Sequence, residues 1–352
     1  VDRGDDAKAP LQIVLFGGTS TVVQANFGAN PSFNDSGFTA GTESDDNSVG
    51  LFKYNPPTGF LALMDDNLPK EGIESPDWVW IKNRSAAQNH NVFDTVRGAG
   101  KLLYPDITNA EYTSSIHLLS FENQGFTVGS ATSANGAGNS MVAWTWKAGG
   151  ISPTQTYTVK VVSDSGNKYR FDDFGTSAIT LSLQEGGTYT FDQSDSSNAT
   201  HPLRFSTTSD GTHGGGSEYT TGVTTSGTPG SSGAKTVITV AHDAPTLYYY
   251  CTQHSGMGGQ ANTTETHGST NLKGSLQNIV SANKEAGFSI VTWTAPNDNG
   301  TLGHGLDSAP EMIIAKPLGS GTNWYVMHTP GGVVSANNVL NLDATSAKFN
   351  PG

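Results

Sequence analysis

Apolar residues in this chain tend to recur at every second position, in short runs separated by Gly, Asn, Ser and Pro. A period of two puts alternate side chains on opposite faces and predicts half-buried strands rather than helices. Ser140-Met-Val-Ala-Trp-Thr-Trp-Lys147 alternates cleanly, with Met141, Ala143 and Thr145 on one face and Val142, Trp144 and Trp146 on the other. Asp77-Trp-Val-Trp-Ile-Lys82 is rich in aromatic and β-branched residues. Between residues 151 and 270 the pattern predicts strands at 157–162, 168–171, 179–183, 188–192, 201–206, 235–240 and 246–251. About seven strands in about 100 residues is the rhythm of a Greek-key sandwich. Within it, 207–234 reads as a loop rich in Gly, Ser and Thr, including Gly214-Gly-Gly216.

The flanks are organised differently. Residues 1–70 read as an irregular arm, to which Leu11–Phe16 and Gly59–Leu63 add edge strands, with a break at Pro56-Pro57. Residues 71–150 form a first β unit that ends at a joint, Gly149-Gly150. Residues 271–352 form a second, shorter one. Ser75-Pro-Asp-Trp-Val-Trp-Ile-Lys82 is echoed by Ala309-Pro-Glu-Met-Ile-Ile-Ala-Lys316. Gly125-Phe-Thr-Val128 and Val142-Ala-Trp-Thr145 are echoed, compressed, by Gly287-Phe-Ser-Ile-Val-Thr-Trp-Thr294. The expected fold is therefore all-β: a Greek-key sandwich inserted between two repeat-related β units, preceded by the arm. The apolar runs fall far short of the roughly 20 residues of a membrane helix, so no membrane insertion is expected. The start carries no secretory signal, and Val1 in place of Met is expected of a processed chain or an internal start.

Composition narrows the function classes. The 352 residues include 43 glycines, only 14% are charged, 9% are aromatic, and the net charge is -13. Disorder does not fit that aromatic content. An acidic surface argues against nucleic acid and anionic membranes as partners, and it tolerates a cation. The single cysteine excludes an intrachain disulfide.

That cysteine sits in Tyr248-Tyr-Tyr-Cys-Thr-Gln-His-Ser-Gly-Met257. Cys251, His254 and Met257 follow the end of a predicted strand, where a tight turn brings them to one point. His201 opens another strand, His201-Pro-Leu-Arg-Phe-Ser206. Two imidazoles, a thiolate and a weak thioether are the ligands of a blue-copper electron-transfer site. One copper per chain is therefore expected on His201, Cys251, His254 and Met257. Zinc is the competing metal, disfavoured by Met. The bland alternative is a buried thiol beside a turn histidine.

Other candidates are weaker. His90, His117, His242, His304 and His328 lack metal-ligand spacing. His213 and His267 flank Gly-rich loops of the sandwich and are read as surface residues, with a place near the metal as the alternative. Asp77 and Glu311 are equivalent in the proposed repeat, hence too far apart for a glycosidase pair. Asp65-Asp-Asn67 is a solvated turn rather than a calcium loop. Trp78, Trp80, Trp144, Trp146, Trp293 and Trp324 are read as core, with stacking on sugars as the alternative. No nucleophile elbow or phosphate-cradling loop is found, so no hydrolytic or transfer enzyme is expected, only one-electron redox.

Residues 154–267 resemble a cupredoxin domain, which uses this Cys-x-x-His-x-x-Met spacing. The resemblance places the ligands on His201, Cys251, His254 and Met257. One departure is Pro202, which has no N–H to offer the thiolate. The flanks are similar to a family of virion proteins of marine bacteriophages, cyanophages especially. The similar segments include Ala25-Asn-Phe-Gly-Ala-Asn-Pro-Ser-Phe33, Gly50-Leu-Phe-Lys-Tyr-Asn-Pro-Pro-Thr-Gly-Phe60, Pro76-Asp-Trp-Val-Trp-Ile-Lys-Asn-Arg-Ser85, Phe93-Asp-Thr-Val-Arg-Gly98 and Trp144-Thr-Trp-Lys-Ala-Gly-Gly150. This resemblance implies a tail-fibre or particle-surface component located in the virion, homo-oligomeric and bound to other virion proteins. Arg84, Arg97 and Lys82 would then serve assembly contacts or turns. A soluble electron carrier and an adhesin for a host-surface glycan or receptor are the alternatives.

Overall fold

Alternating segments become strands throughout the computed structural model, which describes residues 43–44, 51–52, 75–123, 125–328 and 339–346. The expected all-β class is what is observed. Two units are distinguished, Val1–Glu71 and Gly72–Gly352. In the first, Glu43–Ser44 pairs antiparallel with Leu51–Phe52. The strands expected at Leu11–Phe16 and Gly59–Leu63, and the Asp65–Asn67 turn, lie outside the described residues.

In the second unit, a sandwich is built from two five-stranded sheets. One runs in the order Asn167–Phe171, Thr154–Ser163, Thr188–Asp192, Lys235–Thr239, Val223–Ser226. The other runs Leu181–Gln184, Gly259–Thr264, Leu247–Cys251, Leu203–Ser206, Glu218–Tyr219. Thr154–Thr158 lies parallel to Thr188–Asp192, and Leu181–Gln184 parallel to Gly259–Thr264; the remaining pairs are antiparallel. Alternation decides which side chains turn inward. Tyr157, Val159, Tyr169, Phe171, Tyr189 and Phe191 from one sheet meet Leu181, Leu183, Leu203, Phe205, Leu247 and Tyr249 from the other, all fully buried. Phe171 is central, its ring 5.1 Å from Tyr249, 5.5 Å from Phe191 and 5.9 Å from Tyr157.

The expected loop at 207–234 is partly strand. Glu218–Tyr219 extends one sheet and Val223–Ser226 the other. Edge strands hydrogen-bond on one side only and bury little, so nothing forced an apolar alternation on them. Gly259–Thr264 also escaped the pattern, because only Ala261 of that strand is buried.

Ahead of the sandwich, Trp78–Asn83 is the central strand between Asn91–Asp94 and Met141–Trp146. Val79 and Ile81 enter a core with Phe93, Leu102 and Leu118. The opposite face carries Trp78 across from Trp146 and Trp80 across from Trp144. The reading of the tryptophans as core thus holds for Trp324, which is buried, and fails for Trp144, Trp146 and Trp293, which are 46%, 41% and 45% exposed. The period of two put all four indoles of this sheet on one side, and Val79 and Ile81 took the core side.

After the sandwich come two three-stranded sheets, Ser269–Asn271, Asn278–Asn283, Phe288–Trp293 and Met312–Ala315, Tyr325–His328, Val339–Asn341. The sequence echo does not extend to strand pairing. Trp78–Asn83 and Met141–Trp146 are neighbours, whereas Met312–Ala315 and Phe288–Trp293 belong to different sheets. Phe288 stacks on Trp146 at 6.3 Å and meets Trp78 edge-on at 6.1 Å, which joins the flanking parts. Arg97, expected to serve assembly contacts or turns, lies in the turn after Asp94, whose Oδ1 accepts from its N–H at 2.9 Å. Its side chain is 6% exposed. It donates to Asp94 at 2.5 Å, Glu111 at 3.1 Å and the Lys101 carbonyl at 2.9 Å.

The two crossings between scaffold and sandwich lie side by side. Asp77, fully buried, accepts from His267 Nδ1 at 2.6 Å and Thr95 Oγ1 at 2.7 Å, and from the Ala148 N–H at 2.8 Å. Gln184 then bridges both crossings, donating to the Gly150 carbonyl at 2.9 Å and accepting from the Gly268 N–H at 2.7 Å. Among the described residues no helix is long and apolar enough to cross a membrane.

Candidate metal centre

His201, Cys251 and His254 converge where the Leu203–Ser206 and Leu247–Cys251 strands pair, with Leu203 opposite Cys251, and Met257 follows three residues after His254. Cys251 ends its strand with the side chain turned inward and fully buried. The Thr252 N–H then donates to the Pro202 carbonyl at 3.2 Å, tying the turn to the His201 segment. The chain doubles back through Gly256, whose φ of 74° is left-handed and suits glycine. At Gly258 an added Cβ would meet the Tyr249 carbonyl oxygen at 1.7 Å, so only glycine lets the chain pass so close to its own strand. Between these glycines Met257 is 1% exposed, its carbonyl accepting from the Tyr169 N–H at 3.0 Å.

The donor atoms of His201, Cys251 and His254 all lie within 4.8 Å of one another. Cys251 Sγ is 3.8 Å from His201 Nδ1 and 3.7 Å from His254 Nδ1. Metal–nitrogen and metal–sulfur bonds of about 2.0 and 2.3 Å at trigonal angles separate N and S by about 3.7 Å. The donors are therefore already at coordination spacing. The two imidazoles sit 4.5 Å apart, centroid to centroid.

Outer partners fix the buried ligand. The His201 carbonyl accepts from Tyr169 OH at 2.9 Å and from Gln193 Nε2 at 2.8 Å, and its N–H donates to the Asn198 carbonyl at 2.8 Å. Burial, and after it the neighbouring His254, holds His201 below the ordinary histidine pKa. The imidazole is thus neutral and able to ligate at neutral pH. Burial pushes the Tyr169 and Tyr249 hydroxyls up, so both stay protonated beside the site. Of the ligands only His254 is exposed.

Three of the four residues expected from the sequence, His201, Cys251 and His254, are thus brought together, and the fourth, Met257, is buried in the sandwich core. His213, read as a surface residue, is exposed but donates from Nε2 to the Cys251 carbonyl at 3.0 Å. His267 is not near this site and belongs to the Asp77 network. His242, set aside for lack of spacing, groups with Glu185 and Asp243, their donor atoms within 4.8 Å of one another. Its Nδ1 donates to Glu185 at 2.8 Å, and its side chain is 88% exposed. Sequence spacing could not reveal that group, because Glu185 lies 57 residues away.

A family model described as a domain of unknown function, DUF7483, matches residues 71–173 and 260–351. All four candidate ligands fall in the interval between the two matched segments. No curated protein and no solved structure matches the chain.

Proposed function

We propose that this chain, which belongs to the family DUF7483, is a virion structural protein whose β-sandwich holds one copper ion through His201, Cys251, His254 and Met257. The observation that carries the copper assignment is the meeting of two imidazole nitrogens and a thiol sulfur at trigonal spacing, from segments 50 residues apart. The donor set decides the metal: thiolate and thioether favour Cu(I), imidazoles favour Cu(II), and a trigonal His2Cys arrangement with a weak Met serves both. Copper, when bound, supplies a one-electron couple. The chain's part is to keep the four donors in place across both oxidation states, which the buried Cys251, Met257 and the triply hydrogen-bonded His201 backbone do. Burial of Cys251 and Met257 keeps water from the sulfur side.

The assignment to a virion, as a tail-fibre, appendage or particle-surface component assembled with copies of itself and other virion proteins, rests on the sequence similarity of the flanks. A scaffold that presents the sandwich through two adjacent crossings is consistent with it. A second reading, a cupredoxin-type electron carrier, is favoured by the exposure of His254, the only ligand an external redox partner could approach. A glycan-binding adhesin is favoured by the exposed Trp144.

The test is an absorption spectrum and metal analysis of the purified chain with and without oxidant. An intense visible thiolate-to-copper band at one copper per chain is expected. A chain that takes up no Cu(II), or holds only zinc, would overturn the copper assignment. Particles that assemble normally without this protein would overturn the structural role. Reversible oxidation by a host redox protein would favour the carrier.

A further inference from the structure

The turn that carries His254 and Met257 is anchored at its two ends, through the Thr252 N–H and the Met257 carbonyl, and Lys168 Nζ donates to the Gly256 carbonyl between them. Gln253, His254, Ser255 and Gly256 are all exposed, and they leave the sheet after Cys251. A second surface segment also reaches it at three points. Asp210 accepts from Ser255 Oγ at 2.6 Å and from the Gly256 N–H at 2.9 Å. His213 donates to the Cys251 carbonyl at 3.0 Å. One partner thus lies on a ligand and two lie between His254 and Met257.

The reaching segment is itself hydrogen-bonded and packed. Gly211–Gly214 forms a 3-10 turn preceded by Asp210 in a left-handed conformation. Gly211 N–H donates to the Thr208 carbonyl at 2.9 Å and Gly216 N–H to the Gly211 carbonyl at 2.9 Å. Gly211 lies flat on the buried Tyr250 ring, where an added Cβ would meet ring carbons at 2.5 Å. The segment is thereby seated on the residue next to Cys251.

We infer that the 208–216 segment braces the ligand turn, with Asp210 and His213 as positioning residues that set where His254 and Met257 stand relative to Cys251. This deepens the copper reading and rests on it only for its consequence at the metal. The bracing itself belongs to the metal-free chain. Partners that orient metal ligands typically change metal affinity about 10–100-fold when removed.

The experiment uses the full chain and the variants Asp210→Ala, Asp210→Asn, His213→Ala and His213→Gln. Two quantities are read: amide hydrogen exchange of residues 251–257 without metal, and copper affinity by competition with a chromophoric Cu(I) chelator. Both alanine variants are expected to keep the far-ultraviolet circular dichroism of the parent. Asp210→Ala should speed exchange at Gly256 at least tenfold, because that amide loses its acceptor. Copper affinity should fall by about 10–100-fold in both alanine variants. His213→Gln, which can still donate to the Cys251 carbonyl, should recover most of the loss, and Asp210→Asn, which keeps one acceptor, part of it. Unchanged Gly256 exchange in Asp210→Ala would overturn the inference, and so would parental copper affinity in both alanine variants. A parent that binds no copper, with exchange still responding in Asp210→Ala, would overturn the copper reading while the brace stands.

Discussion

Replacing Asp77 by Ala removes the acceptor on which both crossings between scaffold and sandwich converge. The His267 Nδ1–H and the Ala148 N–H lose a carboxylate at 2.6 and 2.8 Å, and the Thr95 hydroxyl one at 2.7 Å. Ala148 is 2% exposed, so water cannot take over there. Each orphaned buried donor costs about 1–3 kcal/mol. The donors share one acceptor, so the costs overlap and a total of about 3–5 kcal/mol is expected. For a cooperative unit of this size each kcal/mol moves the melting temperature by about 2 °C, which gives a drop of roughly 6–10 °C in a scan followed by circular dichroism. The pH dependence supplies an independent check. Burial raises the Asp77 carboxyl, but hydrogen bonds from His267, Thr95 and Ala148 and the His267 charge outweigh it and leave the folded value below the ordinary one. A depressed carboxyl contributes stability above its unfolded pKa of about 3.9 and loses it as pH falls through the folded value. The gap between parent and Asp77→Ala should therefore be constant at neutral pH and close below about pH 4. A loss under about 1 kcal/mol, or a gap unchanged down to pH 3, would refute the assignment of Asp77 as the common anchor.

Other outcomes follow from the same geometry. Phe171→Ala should cost about 3–5 kcal/mol in denaturant unfolding, since that ring contacts Tyr157, Phe191 and Tyr249 in a dry core. Tyr189→Phe removes an acceptor of the buried Gln184 N–H at 2.8 Å and should cost about 1–3 kcal/mol by the same measurement. Free copper at about a thousand times its dissociation constant should stabilise the loaded chain by about 4 kcal/mol over the metal-free one, and chelation should reverse this. Cys251→Ser should abolish both that increment and the visible band; retention of either would place the metal elsewhere.

The sandwich strands and the meeting of His201, Cys251 and His254 were legible because each left a pattern the chain could not hide. Tyr157, Val159, Phe171, Tyr189 and Phe191 must alternate to fill an interior, and a Cys-x-x-His-x-x-Met turn beside a strand-opening histidine has few other uses. What escaped is what leaves no local mark. Gly259–Thr264 is an interior strand with one buried side chain, since its neighbours carry the hydrophobic load. Asp210 carries no local mark of the turn at Ser255 and Gly256, which lies 45 residues along the chain. Asp77 and His267 lie 190 residues apart, and nothing near either announces the other. The tryptophans misled for a related reason: alternation states which residues share a face, not which face turns inward.

The carboxamide of Gln184 touches the chain once on its way into the sandwich and once on its way out. Gly150 and Gly268 are therefore held within about 8 Å, the reach of one amide group hydrogen-bonded at both ends. Chain ends this close can be rejoined by two or three residues. The joint is not the only tie, because Thr270, in the first strand of the sheet that follows, accepts from Tyr157 OH at 2.7 Å and Gln155 Nε2 at 2.8 Å of the sandwich.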